Sequence, residues 1–238
     1  MIQESAFIRR VGELLPQQGY INPALASLNY KSTQVPKGGE ILCAGTLGRQ
    51  VVTIGDGIAM RYRLLPDGGR QIIMFLMPGD VCSPHIYPTT IDHSVAAVTP
   101  VRVDRFECEA LIGLTNVIVG LNQALWTLAE QQNAIMRDHI TSLGRGDTRL
   151  RVAMLLIEMV NRLRVKGRNG PVLIPVTQSL MADAIGVTHI HFNRILSEMS
   201  RRDIVDTCRG SVIVKNLAWL ERLTTEFTCG GIRKVLTL

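Results

Sequence analysis

The residues best suited to metal or redox chemistry are Cys82, His85 and His93, which stand close together in the chain. A thiolate and two imidazoles are ligands that zinc and haem iron accept. A closed metal site needs more ligands than these three side chains provide, so we predict no metal site. Cys82 and Cys108 could also be redox-sensing thiols, but reactivity depends on thiolate character, which the sequence does not reveal. A buried structural thiol is the favoured interpretation of both.

A second pair of imidazoles, His189 and His191, stands two residues apart in a helical pattern. On a helix such side chains point about 200° apart, so the two rings do not readily share a metal. The sequence contains no P-loop, no HExxH and no GxSxG motif. We therefore predict neither an enzyme nor a bound cofactor.

Basic charge is concentrated in the C-terminal part of the chain. Residues 144–238 contain 15 Lys and Arg against 8 Asp and Glu, whereas residues 1–143 contain 11 against 12. This asymmetry favours a polyanionic partner for the C-terminal part alone, although a solvated basic surface would have the same composition.

The bulk composition is typical of a protein of the reduced cytoplasm. The 238 residues allow one large domain or two small ones, and 46% hydrophobic residues can form a packed core. No apolar run reaches the length of a membrane span, and no secretory signal is visible at the N-terminus. The five cysteines are scattered without a CxxC pair. We expect a cytoplasmic protein without membrane contact.

Residues 29–106 have the pattern of short strands joined by tight turns. Pro66-Asp67-Gly68-Gly69 is the clearest turn signal, and the segment before it alternates in polarity. The predicted strands are 51–54, 58–65, 70–76, 94–98 and 101–106. Many short strands at close spacing predict a small antiparallel barrel or jelly roll.

The hydrophobic period changes near Glu109, where a long helix is predicted. Residues at alternating steps of four and three then form a stripe: Leu114, Ile118, Leu121, Leu125, Leu128, Gln132, Ile135 and His139. Such a seam is typical of a coiled coil, and a second copy of the chain is the expected partner because two-fold pairing is the commonest symmetry. In the alternative interpretation, the stripe packs against the chain's own barrel.

Residues 177–199 carry the pattern of a helix-turn-helix. Thr177 can cap the first helix, Ala182 is small where two helices would cross, and Gly186 suits a left-handed turn. Apolar residues flank the turn at the positions that hold the helices together: Met181, Ile185, Val187, Phe192 and Ile195. Seven matched positions, Ala182 and Gly186 among them, predict a DNA-binding motif.

The second helix of this motif would present its polar face to the major groove, with its N-terminal residues near the base edges. Arg194 can pair bidentately with guanine, whereas Thr188 and His191 are better placed for phosphates. A predicted hairpin around Arg209 would form a wing near the DNA backbone. The predicted DNA-binding residues are Gln178, Ser179, Thr188, His189, Ile190, His191, Asn193, Arg194 and Arg209.

Gly144 and Gly146 mark the end of the long helix, and Asp147 is a suitable N-cap for the next one. The predicted domains are a β-barrel sensor (1–108), a dimerisation helix (109–143) and a winged-helix DNA-binding domain (144–238). The fold class is therefore α+β. The two glycines also suggest a hinge that sets the spacing of two recognition helices.

These three parts, in this order, resemble the Crp/Fnr family of bacterial transcription regulators. RYRLLPDGGRQIIMFLMPGD (61–80) is similar to the turn signature of the family's barrel, and TQSLMADAIGVTHIHFNRILSEM (177–199) to its DNA-binding motif. The resemblance implies a cyclic-nucleotide-binding-like barrel and a homodimer that reads a palindromic operator and works with RNA polymerase. The base-contacting positions would be His189, Ile190 and Arg194, of which Arg194 keeps the family's residue.

The resemblance does not extend to the family's cyclic-AMP or iron–sulfur branches. The cyclic-AMP branch uses a Gly-Glu and an Arg-Ser pair, but its glutamate position falls at or beside Pro84, and no arginine lies between Arg70 and Arg102. The iron–sulfur branch needs an N-terminal cysteine cluster, whereas Cys43 stands alone. We expect an unidentified small-molecule effector or none. The alternative function is a ligand-, redox- or metal-responsive sensor whose main output is protein contact.

Overall fold

The computed structural model describes residues 4–16, 22–83, 85–164 and 170–225. The chain forms two compact units, one made of residues 1–63 and 74–132 and the other of residues 64–73 and 133–238. Pro84, Cys229 and most of the loop predicted after residue 165 lie outside the described residues. In the part that the structure describes, no helix has the length and apolarity needed to cross a membrane.

The first unit is rich in antiparallel β-structure. Its sheets have the strand orders β1-β9-β4, β2-β8-β5-β6 and β3-β7. The strands are β1 (Tyr30–Val35), β2 (Glu40–Leu42), β3 (Leu47–Gly48), β4 (Gln50–Asp56), β5 (Ala59–Leu64), β6 (Arg70–Leu76, which continues from the second unit), β7 (Thr89–Thr90), β8 (Ser94–Ala97) and β9 (Val101–Glu107). The helices are α1 (Ala6–Leu14), α2 (Pro23–Ala26), α3 (Cys108–Thr115) and the first part of α4 (Leu121–Arg145). The predicted β-rich sensor fold is confirmed.

The core of the first unit is built around aromatic side chains. Phe106 on β9 is fully buried, with its ring centroid 5.3 Å from that of Phe7 and 5.1 Å from that of Tyr30. These tilted contacts are favourable aromatic geometries, and each buried ring removes a large apolar area from water. Phe7 belongs to α1, a short helix that the sequence pattern did not predict.

Most of the stripe predicted to be a dimer seam packs within a single chain, which is the alternative interpretation of its pattern. Ile118, Leu121 and Leu128 lie in the hydrophobic core of the first unit, and Leu114 and Leu125 pack against it. The two polar members of the stripe are hydrogen-bonded within the chain. Gln132 donates to the Val81 carbonyl, and His139 Nε2 donates to the Ala184 carbonyl. The remaining member, Ile135, is buried. Five of the eight side chains are therefore buried in their own chain, and Leu114, Leu125 and His139 are half-buried.

The predicted long helix is divided into two helices. A break of residues 116–120 separates α3 from α4 and contains Gly120 at φ +86°. A Cβ at this position would lie 2.7 Å from the Pro16 Cδ, so glycine is required by both conformation and space.

The second unit contains three helices of a winged helix-turn-helix and a small antiparallel sheet. The Asp147 carboxylate accepts from the Leu150 amide at 2.8 Å and caps the helix that follows the end of α4. The elements are α5 (Thr148–Leu163), β10 (Val172–Ile174), α6 (Gln178–Ile185), α7 (His189–Arg201), β11 (Val205–Cys208), β12 (Ser211–Val214) and α8 (Leu217–Thr225), with the strand order β10-β12-β11.

Asp138, near the end of α4, should make stability depend on pH. Burial, above all, raises its carboxyl pKa from 3.8 to about 6. Because the folded protein then holds a proton more tightly than the unfolded chain, stability falls as pH rises from about 4 through 6. We expect Asp138→Asn to increase the free energy of unfolding near pH 7.5 by about 1 kcal/mol, after allowing for solvent screening of a half-buried group.

Urea denaturation at about pH 7.5 and at about pH 4 would measure this difference, which should vanish at the lower pH. Glu109→Gln on the exposed face of α3 is the matched control, because it also removes one negative charge. An Asp138→Asn variant that is less stable than the parent at neutral pH would contradict this account of the carboxyl.

Candidate nucleic-acid interface

The turn between α6 and α7 has the geometry of a helix-turn-helix. The Thr177 hydroxyl accepts from the Leu180 amide at 3.4 Å at the start of α6. Gly186 ends α6 in the left-handed conformation (φ +66°, ψ +43°), and the Val187 amide donates to the Ala182 carbonyl at 3.1 Å. The Thr188 hydroxyl then accepts from the His191 amide at 3.2 Å, so Thr188 caps α7. The predicted helix-turn-helix is confirmed.

Apolar contacts fix the two helices against the rest of the second unit. The buried members of the motif are Met181, Ala182, Ile185, Phe192 and Ile195, and Val187 is half-buried. Burying each of the large members, Met181, Ile185, Phe192 and Ile195, stabilises the fold by about 1.5–3 kcal/mol. The inner face of α7 is thereby occupied, which leaves its other face for contacts outside the chain.

The first two turns of α7 present the predicted base-contacting residues. Thr188, His189 and Arg194 are exposed, and Ile190 is 82% exposed despite its apolar side chain. The other predicted residues of the motif are similarly accessible, with Ser179 exposed and Gln178, His191 and Asn193 half-buried. An isoleucine left this exposed at the N-terminus of a recognition helix is suited to contact a partner.

Arg194 is held by a neighbour one turn earlier. Its Nη2 lies 3.1 Å from the His191 Nε2, where a guanidinium donates to an unprotonated imidazole nitrogen. His191 was predicted to be a phosphate contact. In the DNA-free chain, this ring also orients the arginine.

The wing has one exposed cation at its turn. Arg209 and Gly210 connect β11 to β12, and both are exposed. Lys215, a second basic residue considered for the wing, instead pairs with Asp203 at 2.9 Å and Asp206 at 3.4 Å, and these hydrogen bonds raise its pKa. Arg209 is consequently the better candidate for a phosphate contact.

Three side chains far away in the sequence hold the C-terminal end of α6 within the second unit. Arg70 Nε donates to the Asp183 carboxylate at 2.9 Å, and Gln71 Nε2 donates to the Asp183 and Ala184 carbonyls at 3.2 and 3.0 Å. His139 donates to the same Ala184 carbonyl at 2.8 Å. Sequence reasoning missed these contacts because more than a hundred residues separate Arg70 and Gln71 from α6.

Gly186→Ala should destabilise the second unit through backbone strain alone. An added Cβ would meet no atom closer than 3.9 Å, but φ +66° is unfavourable for a residue with a side chain. We expect a loss of about 1–2 kcal/mol in the free energy of unfolding. Gly144→Ala is the control, because Gly144 is helical and a Cβ there would meet nothing within 4 Å. In urea denaturation the control should be neutral or up to about 1 kcal/mol more stable, so equal effects of both changes would contradict the interpretation.

In the first unit, a buried arginine donates its hydrogen bonds to neighbouring groups of the chain. Arg61 is 3% exposed and donates to the Val81 carbonyl at 2.9 Å, the Cys82 carbonyl at 3.3 Å and the Gln132 side chain at 3.2 Å. The guanidinium therefore joins β5, the loop after β6 and α4. Its donors are directed to chain groups rather than to an open site.

The three side chains with potential metal or redox chemistry do not form a site in the described residues. Burial raises the pKa of the Cys82 thiol to about 12, which disfavours the reactive thiolate. His93 donates to the Cys82 carbonyl at 2.9 Å, whereas His85 is exposed. Within the ranges that the structure describes, no three His, Cys, Asp or Glu side chains are arranged to hold a metal ion.

Comparison with known proteins identifies the type of regulator. Residues 150–223 match the family model of the Crp-like helix-turn-helix domain. The structure of FixK2 from Bradyrhizobium japonicum superimposes with a TM-score of 0.74 at 26% identity, covering 82% of this chain and 98% of that one. Residues 150–223 therefore carry a Crp-like helix-turn-helix domain, and the chain is similar over most of its length to transcription regulators of the Crp/Fnr family.

Similarity to curated relatives extends into the β-rich part of the chain. The nitrogen fixation regulation protein FixK of Bradyrhizobium diazoefficiens is 28% identical over 169 residues, which are 71% of each chain. The transcriptional activator protein FnrL of Cereibacter sphaeroides is 28% identical over 210 residues, or 85% of this chain and 83% of the relative. The predictions of a DNA-binding regulator, a cyclic-nucleotide-binding-like fold and no enzymatic role are confirmed.

Proposed function

We propose that this regulator acts in the cytoplasm as a homodimer that binds a two-fold symmetric operator through α7, and that its sensor unit responds to something other than cyclic AMP. The observation with most weight is the exposed start of α7. There Ile190 and Arg194 stand on the accessible side of a helix whose opposite side is fixed in the core. A recognition helix in the major groove uses this part of its surface.

The side chains of α7 suit different parts of the DNA. Arg194 can donate two hydrogen bonds to a guanine edge, and Ile190 can pack on a thymine methyl group but cannot hydrogen-bond a base. His189 lies beside Ile190 and could also reach a base edge. Gln178, Ser179, Thr188, His191 and Asn193 would position the motif on the backbone together with Arg209, which lies at the turn of the wing.

A second stripe on α4 is suited to pair two copies of the chain. Its members have the same alternating steps of four and three as the buried stripe: Asn122, Trp126, Ala129, Asn133, Met136, Ile140 and Leu143. Trp126 and Ile140 are each 69% exposed, and they are large apolar side chains on a helix whose other face is already packed. Two such stripes from two copies would bury each other as a coiled coil, so we assign the dimer face to this stripe.

The proposal that cyclic AMP is not the effector is supported by the interior of the first unit. A cavity there, lined by residues of α1, β4, α4 and the segment after β6, has a volume of about 40 Å³. Small-molecule sites are roughly 300 Å³ or larger, and no arginine is among the described residues that line this cavity. Arg61, the nearly fully buried arginine, is saturated by chain groups.

A contact with RNA polymerase is a further part of the proposal. It is supported by the similarity to FnrL of Cereibacter sphaeroides, which is a transcriptional activator. Transcription from an operator-bearing promoter with purified polymerase, in the presence and absence of the regulator, tests this part separately from DNA binding.

Selection of genomic fragments with the purified full-length protein tests the proposed function. Repeated binding and sequencing should enrich fragments that share a two-fold symmetric motif, with half-sites separated by about one helical turn. Enrichment without any shared motif would contradict sequence-specific recognition, and a shared motif without symmetry would contradict the dimer.

A further inference from the structure

The second unit contains a cavity of about 90 Å³ between the last turns of α4, the middle of α5 and the end of α8. Its walls are largely apolar, and the apolar lining residues are Ile135, Met154, Leu155, Ile157 and Ile185. We propose that this cavity binds a small organic amine, with its apolar body between the helices and its cationic end at Asp138.

The cavity wall carries more carboxylates than guanidinium groups. Three carboxylates, those of Asp138, Glu158 and Glu221, line it together with one guanidinium, that of Arg151. The Arg151 Nε is directed to the Gly146 carbonyl at 2.9 Å, so the guanidinium is oriented by the turn after α4. Glu158 is already paired with Arg162 at 2.7 Å, so an ammonium group would find its counter-ion at Asp138 rather than at Glu158.

Among these carboxylates, that of Asp138 is the one proposed to accept a hydrogen bond from the ligand. Glu158 accepts from Arg162 at 2.7 Å, but no hydrogen bond joins the Asp138 carboxyl to a residue in the described part of the chain. Burial raises its pKa to about 6 although the Arg137 charge acts to lower it, so the ionised form is only partly compensated. An ammonium group could supply the missing charge-assisted hydrogen bond.

The cavity volume limits the size of the ligand. An apolar cavity of roughly 150 Å³ accommodates benzene, so one of about 90 Å³ suits an apolar body of about four carbon atoms. Butylamine has such a body and a single cationic end. Its neutral and anionic counterparts, 1-butanol and butyrate, therefore separate the contribution of charge from that of apolar contact.

A ligand in this cavity would touch α4 and α5 on both sides of their connection at Gly146. Binding would therefore favour one arrangement of these helices within the second unit, which is the requirement for an effector. This inference goes beyond the proposed function and needs no DNA, so its failure would leave operator recognition untouched.

NMR titration of the full-length protein with butylamine, 1-butanol and butyrate tests the proposal. At about pH 7.5, we expect butylamine to bind at least about tenfold more tightly than 1-butanol, and butyrate to be weakest, because only the amine can pair with Asp138. Asp138→Asn should reduce the affinity for butylamine to that for 1-butanol, whereas the control Glu109→Gln should leave it unchanged. Equal affinities for amine and alcohol, or no effect of Asp138→Asn, would overturn the proposal.

The pH dependence gives a second readout that does not depend on one variant. The charged or titratable side chains described around Asp138 are Arg137 and His139 on α4, Arg151, Glu158 and its partner Arg162 on α5, and Glu221 on α8. Near pH 5 the Asp138 carboxyl is mostly protonated, so the affinity for butylamine should fall about tenfold from its value near pH 7.5. In Asp138→Asn the affinity should stay level, and an equal fall in both proteins would contradict the assignment of the cationic end to this carboxyl.

Discussion

Arg194→Ala is expected to lower the affinity of the dimer for its operator by about 2–6 kcal/mol, because a bidentate arginine–guanine contact contributes about 1–3 kcal/mol in each of two half-sites. Arg194 lies on the exposed side of α7, and His191 orients its guanidinium in the absence of DNA. The change removes little from the folded chain, since the side chain is exposed. Fluorescence anisotropy with a selected operator and a scrambled duplex would measure the loss.

Two control variants separate base recognition from general charge. Arg9→Ala removes one exposed positive charge from α1 and should leave operator affinity nearly unchanged. Arg209→Ala in the wing should weaken binding to operator and scrambled DNA alike and reduce the salt dependence of binding. If Arg194→Ala also weakened both duplexes equally, Arg194 would be a phosphate contact and the assignment of its role would be wrong.

Trp126→Glu is expected to convert the dimer into a monomer at micromolar concentration. Each copy would lose a large apolar contact and place a carboxylate in the centre of the interface, which together should raise the dissociation constant by about a thousandfold or more. Sedimentation equilibrium measures this directly. Operator affinity should fall with it, because a monomer holds only one half-site.

Tyr87→Glu is the matched control for Trp126→Glu, since Tyr87 is 64% exposed in the same unit and is not on α4. It should remain a dimer. Leu128→Ala, in the buried stripe, should lower the free energy of unfolding by about 2–5 kcal/mol through the cavity that it leaves. A Trp126→Glu protein that stays dimeric would place the subunit interface elsewhere.

The helix-turn-helix could be predicted in detail because its determinants are local. Gly186 at the turn, Ala182 at the helix crossing and the caps Thr177 and Thr188 act within a few residues of their own positions. Their side-chain chemistry requires this backbone geometry with little dependence on the rest of the chain.

The face of α4 that we propose to pair with a second copy could not be predicted in the same way. Two stripes on this helix have the same three-and-four spacing, and both contain apolar residues. The more apolar stripe, with Leu121 and Leu128, packs into the chain's own core, and the one with Trp126 and Ile140 remains outside. Periodicity identifies a helix face that will be buried, but it does not say whether the partner is the same chain or another.

The contacts between residues far apart in the chain could not be predicted from the sequence pattern either. Arg70 and Gln71 follow a turn between two strands, and nothing in their local sequence indicates that they hold the end of α6 at Asp183. Lys215 was considered for a DNA contact because it is basic and near the wing, but its ammonium group is paired with two carboxylates. Such pairings arise from tertiary packing and determine which charges remain free for DNA.

Hydroxyl-radical footprinting of the full-length protein on its selected operator tests the central claim most directly. A dimer that reads DNA through α7 should protect two segments whose centres are about 34 Å apart along one face of the duplex, and Arg194→Ala should abolish both together. Protection of a single segment, or an unchanged footprint with Arg194→Ala, would contradict two-fold recognition by this helix.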